Sequence, residues 1–337
     1  MTRRALWLLI LLVLAACDRG AGGGGGGPAP SGGGTRLKIA VIPKGTTHEF
    51  WKSVHAGAVK ASKELDVDIV WKGPLKEDDL KQQVEVVQTF TAQGVNGIVL
   101  APLNDKALVK SVKDASRSKI PVVIFDSGLE GDDYVSFVAT DNKKAGKSAG
   151  ERMAKLLGDK GKVVVLRYQE GSASTHEREE GFLEGIKAHA GIEIVSDNQY
   201  AGATTESAFS ASESLLLAQK AADGGVSGVF CPNESSTFGM LLALRKLGLA
   251  GDKIKFIGFD ASDKLVEALG QGHIHALVLQ DPLGMGYLAV KTMVANLRGQ
   301  KVEKLIDTGS TLVDKDNMKE PKIAELLKPD LKKWLSE

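Results

Sequence analysis

The sequence predicts an α/β protein built from two similar lobes. Three observations predict it. Short apolar, β-branched runs alternate with helical patterns from Leu37 to Arg298, and the alternation restarts near Lys162. Two segments of the first half also return about 130 residues later. Gly97-Ile98-Val99-Leu100-Ala101-Pro102 is echoed by Gly228-Val229-Phe230-Cys231-Pro232, and Val123-Ile124-Phe125-Asp126-Ser127 by Ile257-Gly258-Phe259-Asp260-Ala261-Ser262. A length of 337 residues suits two lobes better than one small module, at roughly 100–200 residues per domain.

The elements follow in order. Residues 37–42 read as a strand, and 49–65 as a helix that sets Phe50, Val54, Ala58, Ala61 and Leu65 at helical spacing. A strand over 68–72 ends at the Gly73-Pro74 break. A helix over 78–93 puts Leu80, Val84, Val87 and Phe90 on one face. Strands at 97–101 and 122–125 flank a helix over 105–118, and a strand at 134–140 leads into a helix over 143–157. The second round places strands at 162–167, 193–199, 228–231, 254–259 and 276–280, followed in turn by helices at 175–188, 206–221, 237–247, 262–269 and 284–298. Val122-Val123-Ile124-Phe125 is apolar throughout, as a strand buried on both faces requires. Repeated strand–helix–strand units make parallel sheets covered by helices, so the lobes are Rossmann-like. In such sheets ligands bind beyond the carboxyl ends of the strands. Asp126 and Asp260, each ending an apolar strand after a Phe, are therefore expected to approach one cleft from opposite sides.

Lys+Arg at 43 against Asp+Glu at 42 gives a formal charge of +1, which argues against a nucleic-acid binder. With 43% hydrophobic and 25% charged residues the composition is that of a soluble globular protein, neither disordered nor polytopic in a membrane. The glycine count of 39 is high, and the cysteine count of two is low. The N-terminus is read as the main source of both. Arg3 and Arg4 precede an apolar run, Ala5 to Leu14, too short for an ordinary transmembrane helix, and Leu14-Ala15-Ala16-Cys17 follows. The segment resembles a bacterial lipoprotein signal. That resemblance implies a signal peptide over 1–16, with Cys17 the lipid-attachment residue and mature N-terminus. Loss of residues 1–16 removes two arginines and moves the charge from +1 to −1. Residues 17–36 then form a Gly-rich tether holding ten of the 39 glycines, with a reach on the order of 25 Å. Cys231, on an apolar strand, is expected to be a buried small hydrophobe outside any disulfide.

Several motifs taken in order resemble the periplasmic sugar-binding proteins of the ribose/galactose type, over about Leu37 to Val313. His48-Glu49-Phe50-Trp51 stands where ribose binders carry an aromatic pair. Ile120-Pro121-Val122-Val123-Ile124-Phe125-Asp126 matches the strand ending in a ligand Asp, and Ala139-Thr140-Asp141-Asn142 the crossing into the second lobe. Glu177-Arg178-Glu179-Glu180-Gly181-Phe182 matches the helix with a ligand Arg, Asn233 a ligand Asn, and Gly258-Phe259-Asp260 with Gln280 completes the set. The resemblance implies the type I periplasmic-binding-protein fold: two lobes, a ligand cleft between them, and a hinge of three crossovers near Asp141, Gln280–Asp281 and Thr308–Thr311. It implies an N-terminal lobe of 37–140 plus 281–308 and a C-terminal lobe and tail of 141–280 plus 309–337. The implied ligand residues are His48, Phe50, Trp51, Asp126, Ser127, Arg178, Asn233, Phe259, Asp260 and Gln280. The implied partners are a sugar or polyol and an ABC permease in the inner membrane, with a monomeric protein held in the periplasm or cell envelope by its lipid.

The chemistry fits a sugar on its own terms. Carboxylates and amides bind vicinal hydroxyls in pairs, Arg donates in a fork, and aromatic rings cover C–H faces. Two departures stand out. Ser127 replaces an Arg and Ala101 an Asn of the ribose binders, so ribose itself is not expected, and Thr47 and His48 are candidates to restore part of the lost bonding. No calcium loop, metal motif, phosphate loop or G-x-S-x-G is found, and no cofactor is expected. Plainer roles stay open: a helix cap for Asn233, a solvated face for Arg178. The alternative functions are a sensor that presents bound sugar to a membrane kinase or chemoreceptor, and an extracytoplasmic enzyme.

Overall fold

The computed structural model describes residues 36–335. The expected signal peptide, Cys17 and tether lie outside the described residues. Two six-stranded sheets organise the rest. The first contains β1 (Lys38–Ile42), β2 (Asp68–Trp71), β3 (Gly97–Leu100), β4 (Val122–Phe125), β5 (Ser136–Ala139) and β11 (Leu305–Asp307) in the order β2-β1-β3-β4-β5-β11. The second contains β6 (Gly161–Arg167), β7 (Ile192–Tyr200), β8 (Gly228–Phe230), β9 (Lys255–Phe259), β10 (Ala276–Leu279) and β12 (Thr311–Val313) in the order β7-β6-β8-β9-β10-β12. The internal sequence echo is thus an echo of topology. All pairings are parallel except β10 with β12, which runs antiparallel.

The helices are α1 (Glu49–Leu65), α2 (Leu80–Ala92), α3 (Val109–Arg117), α4 (Asn142–Leu157), α5 (Ala173–Lys187), α6 (Thr205–Ala218), α7 (Glu234–Lys246), α8 (Asp263–Gln271), α9 (Pro282–Leu297) and α10 (Pro321–Leu327). Four apolar clusters fill the two faces of the two sheets. The three-residue strands β11 and β12 and helix α10 have no counterpart among the sequence-predicted elements. Helix α3 starts four residues later than predicted, because Asn104 Oδ1 accepts from Lys106 N and Ala107 N and holds a turn there. Helix α7 starts three residues earlier than predicted, because Asn233 and Ser236 form a reciprocal capping box.

Body glycines also do structural work that the tether reading understated. An ideal Cβ at Gly146 would stand 2.0 Å from Arg178 O, and one at Gly181 would stand 2.1 Å from Lys143 O, so α4 and α5 cross backbone to backbone. Gly57 and Gly286 do the same where α1 crosses α9.

The chain passes between the sheets three times, after β5, after β10 and between β11 and β12. These passages are bonded together. Thr140 Oγ1 donates to Gly309 O at 3.2 Å, and Asp307 Oδ1 accepts from Asp141 N and Gly309 N at 3.1 and 2.8 Å.

Candidate functional site

A cleft opens between the carboxyl ends of the two sheets. Eight of the ten sequence-predicted residues line it: His48, Phe50, Trp51, Asp126, Arg178, Asn233, Asp260 and Gln280. Phe259 and Ser127 are fully buried and stand behind that lining. Phe259 supports Arg178, whose guanidinium carbon lies 4.0 Å from the ring centroid. Ser127 Oγ accepts from Ser174 N of the opposite lobe at 3.1 Å. Thr47 is exposed and does not join the lining.

The two strand-end aspartates share an unusual backbone. Asp126 has φ 62° and Asp260 φ 66°, the left-handed region that Asp tolerates better than most residues. Each amide still extends its sheet, Asp126 N donating to Val138 O and Asp260 N to Val278 O. The conformation turns the chain out of the sheet at the cleft floor on both sides. Conformations of this kind collect at ligand sites.

The side chains form three charge pairs. Lys44 Nζ lies 3.3 Å from Asp126 Oδ2 and donates to Ser172 Oγ and Ser174 Oγ across the cleft. His48 Nδ1 meets Glu77 Oε1 at 2.7 Å. Arg178 Nη1 lies 4.0 Å from Asp260 Oδ2. Glu77 also accepts from Trp51 Nε1 at 2.7 Å and from Tyr168 OH at 2.8 Å. Burial opposes charge on both His48 and Glu77. Their mutual attraction and hydrogen bond override it, raising His48 to about 9 and lowering Glu77 to about 2. Burial lifts Asp260 above the ordinary carboxylate range against the pull of Arg178, and lifts Glu234 to about 7.

Arg178 is fixed from below: Nε donates to Asn142 Oδ1 at 2.8 Å and Nη1 to Pro232 O at 3.0 Å. Gln280 Nε2 donates to Asp260 Oδ1 at 2.7 Å. Two cleft atoms remain buried without a partner, the donor Arg178 Nη2 and the acceptor Gln280 Oε1. Asn233 accepts from Ser236 N, so it is a helix cap as well as a lining residue. Cys231 is buried, and burial pushes its thiol well above the usual range.

Lys44, Glu77, Tyr168 and Glu234 were missed in the sequence. Lys44 and Tyr168 follow the ends of β1 and β6, so the strand-end rule that found Asp126 and Asp260 would have found them. Glu77 sits in the run Lys76-Glu77-Asp78-Asp79, which reads as a solvated loop. Among the described residues no cluster of three or more His, Cys, Asp and Glu could hold a metal ion.

The doubly wound sheets, the crossovers and a polar cleft at the strand ends define a two-lobed binding protein. The periplasmic binding protein domain family matches residues 39–301, and the chain belongs to that family; it is a binding protein and not an enzyme. One relative is the ribose import binding protein of Haemophilus influenzae, 31% identical over 268 residues, 80% of this chain and 88% of that protein. A carbohydrate transporter solute-binding protein from Agrobacterium radiobacter, solved with D-arabinose, has a TM-score of 0.82 and 35% identity over 87% of this chain and 99% of its own. An ABC transporter solute-binding protein from Agrobacterium vitis, solved with D-fucose, has a TM-score of 0.82 and 36% identity over 86% of this chain and 99% of its own.

Proposed function

We propose that the protein captures a neutral monosaccharide or polyol between its lobes and delivers it to an ABC permease. The lobes are residues 37–140 with 281–308, and 141–280 with 309–337, and the three bonded passages are the hinge. The observation that carries this reading is the cleft's polar inventory. Lys44, His48 and Arg178 each have a carboxylate partner of their own and the fourth carboxylate, Glu234, sits on the α1 amides, so the site offers no unmatched cation to an anionic ligand. Arg178 Nη2 can only donate and Gln280 Oε1 can only accept. A hydroxyl does both, and adjacent hydroxyls on a sugar ring suit such a pair. The relatives named above, bound to D-arabinose and D-fucose or named for ribose, support the same class.

The first lobe restores the polar contacts that Ser127 and Ala101 do not supply. Lys44 takes the place of a cation beside Asp126, and Glu77 supplies a carboxylate beside Trp51. This set differs from the residues carried over from ribose binders and supports a pentose or hexose other than ribose. Cys17 is the lipid anchor in this reading, and the Gly-rich segment a leash to the membrane surface.

A thermal-shift screen of residues 36–337 against D-ribose, D-arabinose, D-fucose, other pentoses and hexoses, and the matching sugar acids and phosphates tests the reading, because ligand binding raises apparent stability. At least one neutral sugar should stabilise the protein, and the charged analogues should not. Stabilisation by a sugar acid or phosphate alone would overturn the neutral-ligand assignment.

A further inference from the structure

We infer that Glu234 is a latch between the lobes, a positioning residue that caps helix α1 from the opposite sheet and so holds Phe50 in place over the cleft. The inference rests on the hinge-closure reading above. Glu234 opens α7, directly after β8 of the second sheet. Its carboxylate accepts from Phe50 N at 3.0 Å and from Glu49 N at 3.3 Å, the first amides of α1, which packs on the first sheet.

The first amides of any helix lack intrahelical acceptors, and a nearby residue ordinarily covers them. Here the N-cap residue, His48, makes no side-chain cap, because its ring is turned to Glu77. The cap therefore comes from the other lobe. A carboxylate suits the positive end of the helix dipole. The other end of the latch is anchored as well, since Glu234 N donates to Asp260 Oδ2 at 3.1 Å. A continuous run of bonds thus joins the strand-end aspartate of one lobe to the amide of the cleft aromatic in the other. Hinge opening must break the Glu234 bonds and hand the α1 amides to water. His48, Glu49 and Asp260 are the charged groups around the carboxylate.

Two variants of the soluble body test the latch, E234A and E234Q. The two bonds fall on different oxygens of Glu234, so the single amide oxygen of Gln can keep one of them, whereas Ala accepts none. The ligand is whichever of D-ribose, D-arabinose and D-fucose stabilises the wild type. Stopped-flow kinetics give association and dissociation rates, and small-angle scattering gives compaction with and without sugar. E234A should dissociate about tenfold faster, the loss expected for one to two ordinary hydrogen bonds, with association little changed. It should also be less compact at equal occupancy, and E234Q should recover part of both properties. A wild type that compacts with sugar while E234A matches it in dissociation rate overturns the latch and leaves the sugar reading standing. A loss in E234Q as large as in E234A, confined to one sugar among several, would make Glu234 a ligand contact instead. Absence of compaction in the wild type with every sugar overturns the hinge reading and the latch together.

Discussion

The substitution Glu77→Gln probes the most strongly coupled charges in the cleft. His48 is raised from 6.5 to about 9, and Glu77 is lowered from 4.5 to about 2. Burial opposes both shifts and the attraction between the two groups is the largest cause in favour of each, so the interaction is counted once. At 1.36 kcal/mol per unit, it is worth about 3 kcal/mol. His48 keeps only 14% of its side-chain surface exposed, so solvent screens little of this. The sign follows from each shift. A histidine with a raised value stabilises the fold fully below 6.5, and the contribution is lost as pH rises through about 9. A carboxyl with a lowered value stabilises above 4.5, and the contribution is lost as pH falls through about 2. The pair is therefore at full strength between about pH 4.5 and 6.5. Urea unfolding of the wild type from pH 6.5 to 9.5 should lose about 3 kcal/mol, and the ring protons of His48 should titrate near 9 by NMR. In Glu77→Gln the alkaline loss should largely vanish, and His48 should fall back toward 6.5, since burial then acts with less opposition. A wild-type stability that is flat across this range, or a His48 titrating below 7, refutes the coupling.

The other cleft predictions are simpler. Asp126→Ala and Asp260→Ala should each weaken sugar binding by several kcal/mol in calorimetry, because the bonds each carboxylate makes are left unmade in a buried site; wild-type affinity in both would remove the cleft assignment. Glu234 at about 7 takes up a proton on closing if its open-form value is the ordinary 4.5, so sugar affinity should rise as pH falls from 7 to 4.5. That rise should be absent in E234Q. Cys17→Ser should abolish incorporation of labelled palmitate in cells, and unchanged labelling would refute the lipid anchor.

Much of this architecture was legible because it rests on local periodicity. Most strands of the two cores are short apolar runs, and their order followed from the repeated strand–helix unit. The parts that were not legible have non-local causes. β11 and β12 are three residues each and acquire their identity only by lying beside β5 and β10. Helix α10 rests on burial of Ile323 and Leu327 against the second lobe, which no short amphipathic window reveals. In the cleft, Asp126 and Asp260 could be read from the doubled Phe-Asp strand ends. Glu77 could not: a carboxylate in a charged loop becomes a cleft residue only because His48 and Trp51 at the start of α1 and Tyr168 after β6 converge on it. Arg178 lay in a run that looked solvated, yet glycines at the α4–α5 crossing draw its helix inward and bury it.

The cleft of this form leaves only about 30 Å³ between its side chains, room for one or two water molecules, so a sugar must enter through a more open arrangement. What sets the balance between open and closed can be tested away from the ligand residues. On the flank of the cleft, Asp105 N of the first lobe donates to Gly171 O of the second at 3.0 Å. An ideal Cβ on Gly171 would stand 2.0 Å from Asn104 Nδ2, and Gly171 has φ 82°. Asn104 cannot readily swing aside, because its Oδ1 is tied to the amides of Lys106 and Ala107. Gly171→Ala should therefore obstruct closure while leaving the cleft lining untouched. Some fold stability is lost to the left-handed backbone, about 1 kcal/mol, and it is lost in both forms alike. The clash acts on the closed form alone, and only differential stability shifts the equilibrium. Apparent affinity should fall by about tenfold for every sugar that binds, with their ranking unchanged, because the closed fraction multiplies each intrinsic affinity equally. Wild-type affinity in Gly171→Ala would show that this contact does not limit closure, and a changed ranking would show that it reaches the ligand.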